Sequence, residues 1–201
     1  MKAKEWELYF AEQREAYGKS LFTIHELLSV ADTSVESLNV ELSRLTKRGI
    51  VRRYARGTYG LPEGVSAEML LPYLDRSSYI TGFTALHLSN LVTQVPRIVS
   101  CFTNRRHGRL RKRLTPIGEF VFTCVSNKIY LFPEDGVIAA PEQALFDYVY
   151  SLKRESLHAK SLVTFVNLDS LDPKQLIKLA PRYPGTVRKQ VSEILSPQIG
   201  E

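Results

Sequence analysis

The sequence predicts an α+β fold in two parts, and three observations predict it. The first 64 residues carry helical periodicity with capping signals and then close on a short strand-rich hairpin. The rest alternates strand-like runs with helical ones, without an internal repeat. The 201 residues are 44% hydrophobic and 24% charged, the balance of a globular chain long enough for two small cores. Residues 1–64 are therefore read as one domain and residues 65–201 as a second.

Trp6, Tyr9, Phe10 and Gln13 recur at helical spacing, with Glu5, Glu12 and Glu15 off that stripe, and Gly18 is placed to end the helix. Thr23-Ile24-His25-Glu26 matches a capping box, flanked by Phe22 and Leu27 as a hydrophobic staple, so a second helix runs to about Ala31. Only Asp32 and Thr33 separate it from a third, where Thr33-Ser34-Val35-Glu36 is another capping-box match. Val35, Leu38, Leu42 and Leu45 fall on one face of that helix. Glu36, Ser37, Val40, Ser43, Arg44 and Lys47 fall on the other, with Asn39 at the boundary. Gly49 suits a left-handed ending that brings Ile50 to Leu45. A hairpin follows: Ile50 to Tyr54, a turn at Ala55-Arg56-Gly57, and Thr58 to Leu61 before Pro62. Two helices, a tight turn, a third helix and a ribbon make a winged helix-turn-helix, whose third helix enters the major groove and whose hairpin lies on the backbone.

Charge is sorted along this segment. Residues 1–65 hold ten Lys/Arg against nine Asp/Glu, yet Arg44 to Leu61 contains six basic residues and no acid. On this reading Arg44 makes two parallel hydrogen bonds to a guanine edge and Asn39 can pair with adenine. Ser37 and Ser43 reach a base or a phosphate, and Val40 meets a thymine methyl. Lys47, Arg48, Arg52, Arg53 and Arg56 hold phosphates, giving affinity without sequence. Two other readings stay open: a solvated face with a cationic hairpin edge that blocks aggregation, and a winged helix used for protein contact. The net charge of +6 adds only weak support for a polyanionic partner.

Beyond residue 64, helices are expected at Glu68 to Leu74, at Thr81 to Leu91 and from Pro141 through SLKR, the last with Leu145, Val149 and Leu152 inward. Arg97 to Thr103 reads as a strand. Gly118–Val125 and Lys128–Pro133 read as a hairpin through Ser126-Asn127, giving a small antiparallel sheet. Asp172 with Pro173 and then Gly185-Thr186 open the C-terminal helices. A second basic patch, Arg105, Arg106, Arg109, Arg111, Lys112 and Arg113, lies in a loop between strands. It is read as a solvated loop, a further phosphate contact, or a site for RNA or an acidic protein.

No catalytic constellation stands out, and neither an enzyme activity, a metal nor a cofactor is expected. His25, His87, His107 and His158 are scattered, and Glu142 and Asp147 are five apart on one helix, which points them in different directions. Glu142 is placed as a first-turn acid favoured by the helix dipole. Cys101 and Cys124 read as reduced thiols of a cytoplasmic protein. The N-terminus lacks a signal-peptide core and no run is long enough to span a membrane.

Several segments, in order and at their spacing, resemble the AbiEi family, the antitoxin half of bacterial type IV toxin–antitoxin (abortive-infection AbiE) systems. They are LFTIHELL, LNVELSRLTKRGIVRRYARGTYGLP, SYITGFTALHLSNLVTQVPR and VIAAPEQALFDYVY. The resemblance covers about residues 5 to 150. It implies a DNA-binding repressor of its own operon, acting on operator repeats of double-stranded DNA. It also implies a second domain that counteracts a nucleotidyltransferase toxin without a stable complex. Family members often carry glycine where Ser89 or Asn90 stands here. The competing functions are a stand-alone winged-helix transcription factor with a ligand-sensing second domain, and a nuclease, for which the spaced carboxylates of a metal site are missing.

Overall fold

Helix α1 (Ala3–Tyr17) buries Trp6 and Phe10 and ends where Gly18 turns left-handed (φ 62°). The structure is a computed structural model and describes residues 2–154 and 163–196, so His158 lies outside the described residues. The Trp6 and Phe10 rings stack, with Phe22 tilted 5.0 Å from Phe10. Strand β1 (Leu21–Thr23) runs directly into α2 (Ile24–Ala31). Both halves of the capping box form: Thr23 Oγ1 accepts from the Glu26 amide at 3.3 Å, and Glu26 Oε2 accepts from the Thr23 amide at 2.7 Å. Phe22 and Leu27, the staple pair, are fully buried in one cluster.

Helix α3 (Val35–Lys47) starts one residue later than the second capping-box match requires. Ser34, not Thr33, is the N-cap, and its hydroxyl accepts from the Ser37 amide at 3.2 Å. The third helical position is therefore Ser37, and Glu36 is left without a box to close. Leu38, Leu42 and Leu45 are buried, but Val35 is 44% exposed, because it precedes the first turn that reaches the core. The end is a full Schellman motif. Gly49 is left-handed (φ 74°), the Ile50 amide donates to Leu45 O at 3.0 Å, and the Gly49 amide donates to Thr46 O at 3.0 Å.

Strands β2 (Arg52–Ala55) and β3 (Thr58–Gly60) turn through Arg56-Gly57. The sheet is three-stranded and antiparallel, in the order β1-β3-β2, so the expected two-stranded hairpin carries an extra strand. Leu21–Thr23 pairs with Gly60–Thr58, a pairing hidden inside the staple text. At Gly60 a Cβ would stand 2.7 Å from Ser20 O and 2.8 Å from Leu21, so only glycine fits between these strands. Helix α4 (Ala67–Leu74), capped by Ser66, packs against β2. That packing extends the first compact unit past residue 64 to Arg76, with Thr115–Ile117 joined to it.

The second unit comprises Ser77–Leu114 and the chain from Gly118 onward. It contains β4 (Ser78–Ile80), α5 (Gly82–Leu88), β5 (Ile98–Thr103), a 3-10 turn at Gly108–Arg111, all but the last residue of β6 (Lys112–Thr115), and β7 (Gly118–Cys124). The sheet order is β4-β5-β7-β6. β4 and β5 are antiparallel, but β5 and β7 are parallel, from Ile98↔Glu119 to Thr103↔Cys124. The expected antiparallel sheet is thus mixed. The expected hairpin to Lys128–Pro133 does not form either, since that segment is not a strand. Instead Ser126 O accepts from both the Ile129 and Tyr130 amides (2.9 and 2.8 Å), which winds the chain into a turn rather than back along β7.

Helix α5 ends as α3 does. Asn90 takes the left-handed place (φ 57°), and the Leu91 amide donates to Leu86 O at 2.9 Å. Asparagine is the common substitute for glycine there, so the turn keeps its shape. Helix α6 (Pro141–Arg154) is buried on most of its surface, with α5, α7 (Pro173–Leu179) and α8 (Gly185–Leu195) packed on it. Leu145, Val149, Tyr79, Phe102 and Val187 lie at the centre of this core. Cys101 and Cys124 are free thiols. The architecture is α+β, and no described helix is long and apolar enough to cross a membrane.

Candidate nucleic-acid interface

The leucines at 38, 42 and 45 fix which way α3 faces. With them buried, Ser37, Asn39, Val40, Ser43, Arg44, Lys47 and Arg48 are all exposed. Asn39, expected at the boundary, joins the outward set. Val40 is 51% exposed, an apolar side chain with no cover of its own. Ser37 is partly engaged, its hydroxyl accepting from Ser34 Oγ at 3.1 Å. On the hairpin Arg52, Arg53 and Arg56 are exposed. The β2–β3 register shifts between Arg53 and Ala55, a bulge that separates the direction of the arginines from a regular alternation.

Among the described residues none of Arg44, Lys47, Arg48, Arg52, Arg53 and Arg56 is paired with a carboxylate. Lys19, by contrast, is tied to Glu26 at 2.6 Å. Glu41, the one acid of α3 that is half-buried, accepts from the Trp6 indole at 3.0 Å, which holds α1 against α3. Beside that bond a groove of about 530 Å³ opens, lined by Lys2, Trp6, Glu41, Arg44, Lys47 and Arg48. Local spacing carries no signal for the Trp6–Glu41 bond, because its partners are 35 residues apart. Unpaired guanidinium and ammonium groups, an amide and hydroxyls on one exposed helix face can donate to base edges and phosphates together.

The second basic patch divides. Arg105, Arg106, Arg109, Arg111 and Lys112 are exposed. Arg113 is not one of them: it is half-buried, its guanidinium lies 5.1 Å over the Phe122 ring, and Nη2 is 3.1 Å from His107 Nδ1. It anchors the loop and does not present charge.

The two carboxylates of α6, five residues apart and expected to point in different directions, have different partners. Glu142 is buried and its Oε1 accepts from the Asp172 amide at 2.8 Å, so it holds the start of α7 and does more than complement its own helix dipole. Asp147 is completely buried. It accepts from Thr81 Oγ1 (2.7 Å), Tyr183 OH (2.7 Å) and Tyr79 OH (3.2 Å). Burial pushes its pKa up to about 7, against the downward pull of the same hydroxyls. Among the described residues no group of three or more His, Cys, Asp or Glu is placed to hold a metal ion.

No family model matches the chain, and no curated protein matches it. Among solved structures it is similar to the crystal structure of the RV2827C protein from Mycobacterium tuberculosis. The TM-score is 0.59 at 16% identity, over 95% of this chain and 76% of that one. The likeness is one of fold.

Proposed function

We propose that the first unit is a winged helix-turn-helix that binds duplex DNA with sequence preference, and that the chain is an AbiEi-type antitoxin. On this reading it represses its own operon and counteracts a nucleotidyltransferase toxin of a type IV toxin–antitoxin system. The observation that carries the DNA-binding part is the outward face of α3. Its polar and cationic side chains are exposed, and its cations have no carboxylate partner among the described residues, beside a hairpin bearing Arg52, Arg53 and Arg56. Burial of Leu38, Leu42 and Leu45 leaves that face no other packing to satisfy. Arg44 and Asn39 are assigned to base edges, and Lys47, Arg48 and the hairpin arginines to phosphates. The antitoxin part is supported by the four sequence segments that resemble the AbiEi family.

Footprinting on the chain's own promoter at two salt concentrations tests the DNA part. A protected operator that is lost with Arg44→Ala supports it, and equal binding to operator and random duplex at physiological salt would sink it. The antitoxin reading expects a nucleotidyltransferase gene immediately downstream and rescue of growth when the two are co-expressed; the absence of such a neighbour counts against it.

One observation favours the stand-alone regulator instead. A crevice of about 620 Å³ in the second unit is lined by Phe132, Ile138, Arg182 and the buried Glu142 and Gln143. A small molecule that binds there and releases DNA would decide for that reading.

A further inference from the structure

We propose that the segment from Arg105 to Lys112 is a second phosphate-binding surface that grips the backbone of duplex DNA. The inference rests on that DNA-binding reading. Arg105, Arg106, Arg109, Arg111 and Lys112 stand within eight residues, all exposed, with no acid between them. Among the described residues none is paired with a carboxylate. Like charges this close repel one another unless a polyanion sits among them.

A run of this kind is ordinarily a loose tail. Here it is pinned. The Arg105 amide donates to Thr103 Oγ1 at 3.2 Å, at the end of β5, and the Leu110 amide donates to His107 O at 2.9 Å. The His107 ring lies 4.8 Å from Phe122, and Arg113 covers the same ring before β6 runs on to Thr115. Arg109 and Arg111 project from the 3-10 turn and Arg105, Arg106 and Lys112 flank it, in a segment tethered at both ends, so ordering them on a ligand costs less conformational entropy than ordering a free tail.

The chemistry favours duplex backbone over other polyanions. Four of the five are arginines, whose planar donors match phosphate oxygens two at a time. The nearby aromatic ring, Phe122, is buried under His107 and Arg113, so it offers no platform for stacking an unpaired base. A second cationic surface on the same chain adds to the first by raising its effective concentration on one polymer.

Each phosphate contact steepens the dependence of log affinity on log salt by roughly 0.9, so five contacts add up to about four units. The experiment compares full-length wild type, R105Q/R106Q/R109Q/R111Q/K112Q and R44A on operator and random duplexes between ~50 and ~200 mM salt. Arg113 is left in place because it anchors the loop. In the five-fold variant the slope is expected to fall by up to about four units. Affinity should drop for both duplexes alike, and the preference between them should persist. An unchanged slope and affinity overturns the proposal, as does a loss confined to single-stranded RNA or to an acidic protein. If R44A abolishes preference while the five-fold variant changes nothing, this proposal fails and the α3 reading stands. If wild type shows no preference yet the five-fold variant flattens the slope, the α3 reading fails and the phosphate grip stands. Should the five-fold variant not fold, R109Q/R111Q takes its place, with an expected fall of roughly two units and the same overturning result.

Discussion

Helices α3 and α6 are nearly equal in length, 13 and 14 residues, and opposite in how they treat polar side chains. In α6, Glu142 and Asp147 are buried, and each accepts hydrogen bonds from elsewhere in the second unit. In α3, Asn39, Ser43, Arg44 and Lys47 are exposed and the described residues offer the two cations no carboxylate. A polar group already satisfied inside the protein is doing structural work, because leaving it unpaired there is expensive. A cluster left unsatisfied on a rigid, leucine-anchored face is available to something else. The contrast separates residues that hold the fold from residues that can serve a partner.

The sharpest way to break this contrast is at Asp147. Asp147→Ala strands three hydroxyls at once, and on the order of 3 kcal/mol of stability is expected to go, measured by urea unfolding. A loss below ~0.5 kcal/mol would show that the site is not structural. Its titration adds a sign. The folded-state pKa, about 7, lies above the ~3.9 of an unfolded Asp, so between those values the folded chain keeps a proton that the unfolded chain has lost. The stability from this group is full below about pH 4 and drains away as pH rises towards 7. Relative to Asp147→Asn, wild type should therefore lose stability over that window, and a flat difference would remove the assignment.

Leu42→Ala comes next. It empties a fully buried place under α3 and should cost about 2–4 kcal/mol by the same measurement, weakening DNA binding only through unfolding. Thr23→Ala removes one half of the capping box and should cost about 1 kcal/mol. The smallest stability effect belongs to the outward face. Arg44→Ala is expected within about 0.5 kcal/mol of wild type in denaturant, yet to lose preference for the operator. Lys47→Ala should keep the preference and flatten the salt slope by roughly one unit. If either outward substitution destabilised the protein as Leu42→Ala does, the division between the two helices would collapse.

Much of the first unit was legible because its signals are local. The Thr23–Glu26 box, the leucine stripe and the Gly49 ending each lie within a few residues, where capping chemistry and helical period act. The neighbouring Thr33 match failed by one residue because Ser34 offers the same hydroxyl one step later. Strand β1 was missed because three residues carry no period, and their pairing to β3 is decided 37 or so residues on. The same reason hid the parallel β5–β7 pairing, since strand text does not state which neighbour it will meet or in which direction. At the candidate interface, exposure of the α3 set followed from the leucine spacing. The burial of Arg113 did not, because a basic run looks alike whether one member folds onto a phenylalanine or not. Asp147 was visible only as an acid on a helix, its acceptor role depending on residues 36 to 68 positions away.

Gly60 has a consequence for how this surface could drift. The strand that carries the hairpin is seated against Ser20 and Leu21 with no room for even a methyl group. The placement of Arg52, Arg53 and Arg56 is thus governed in part by an uncharged position. An alanine there would shift the ribbon, and with it the three arginines, although none of them is changed; on the proposed DNA-binding reading it would weaken operator preference.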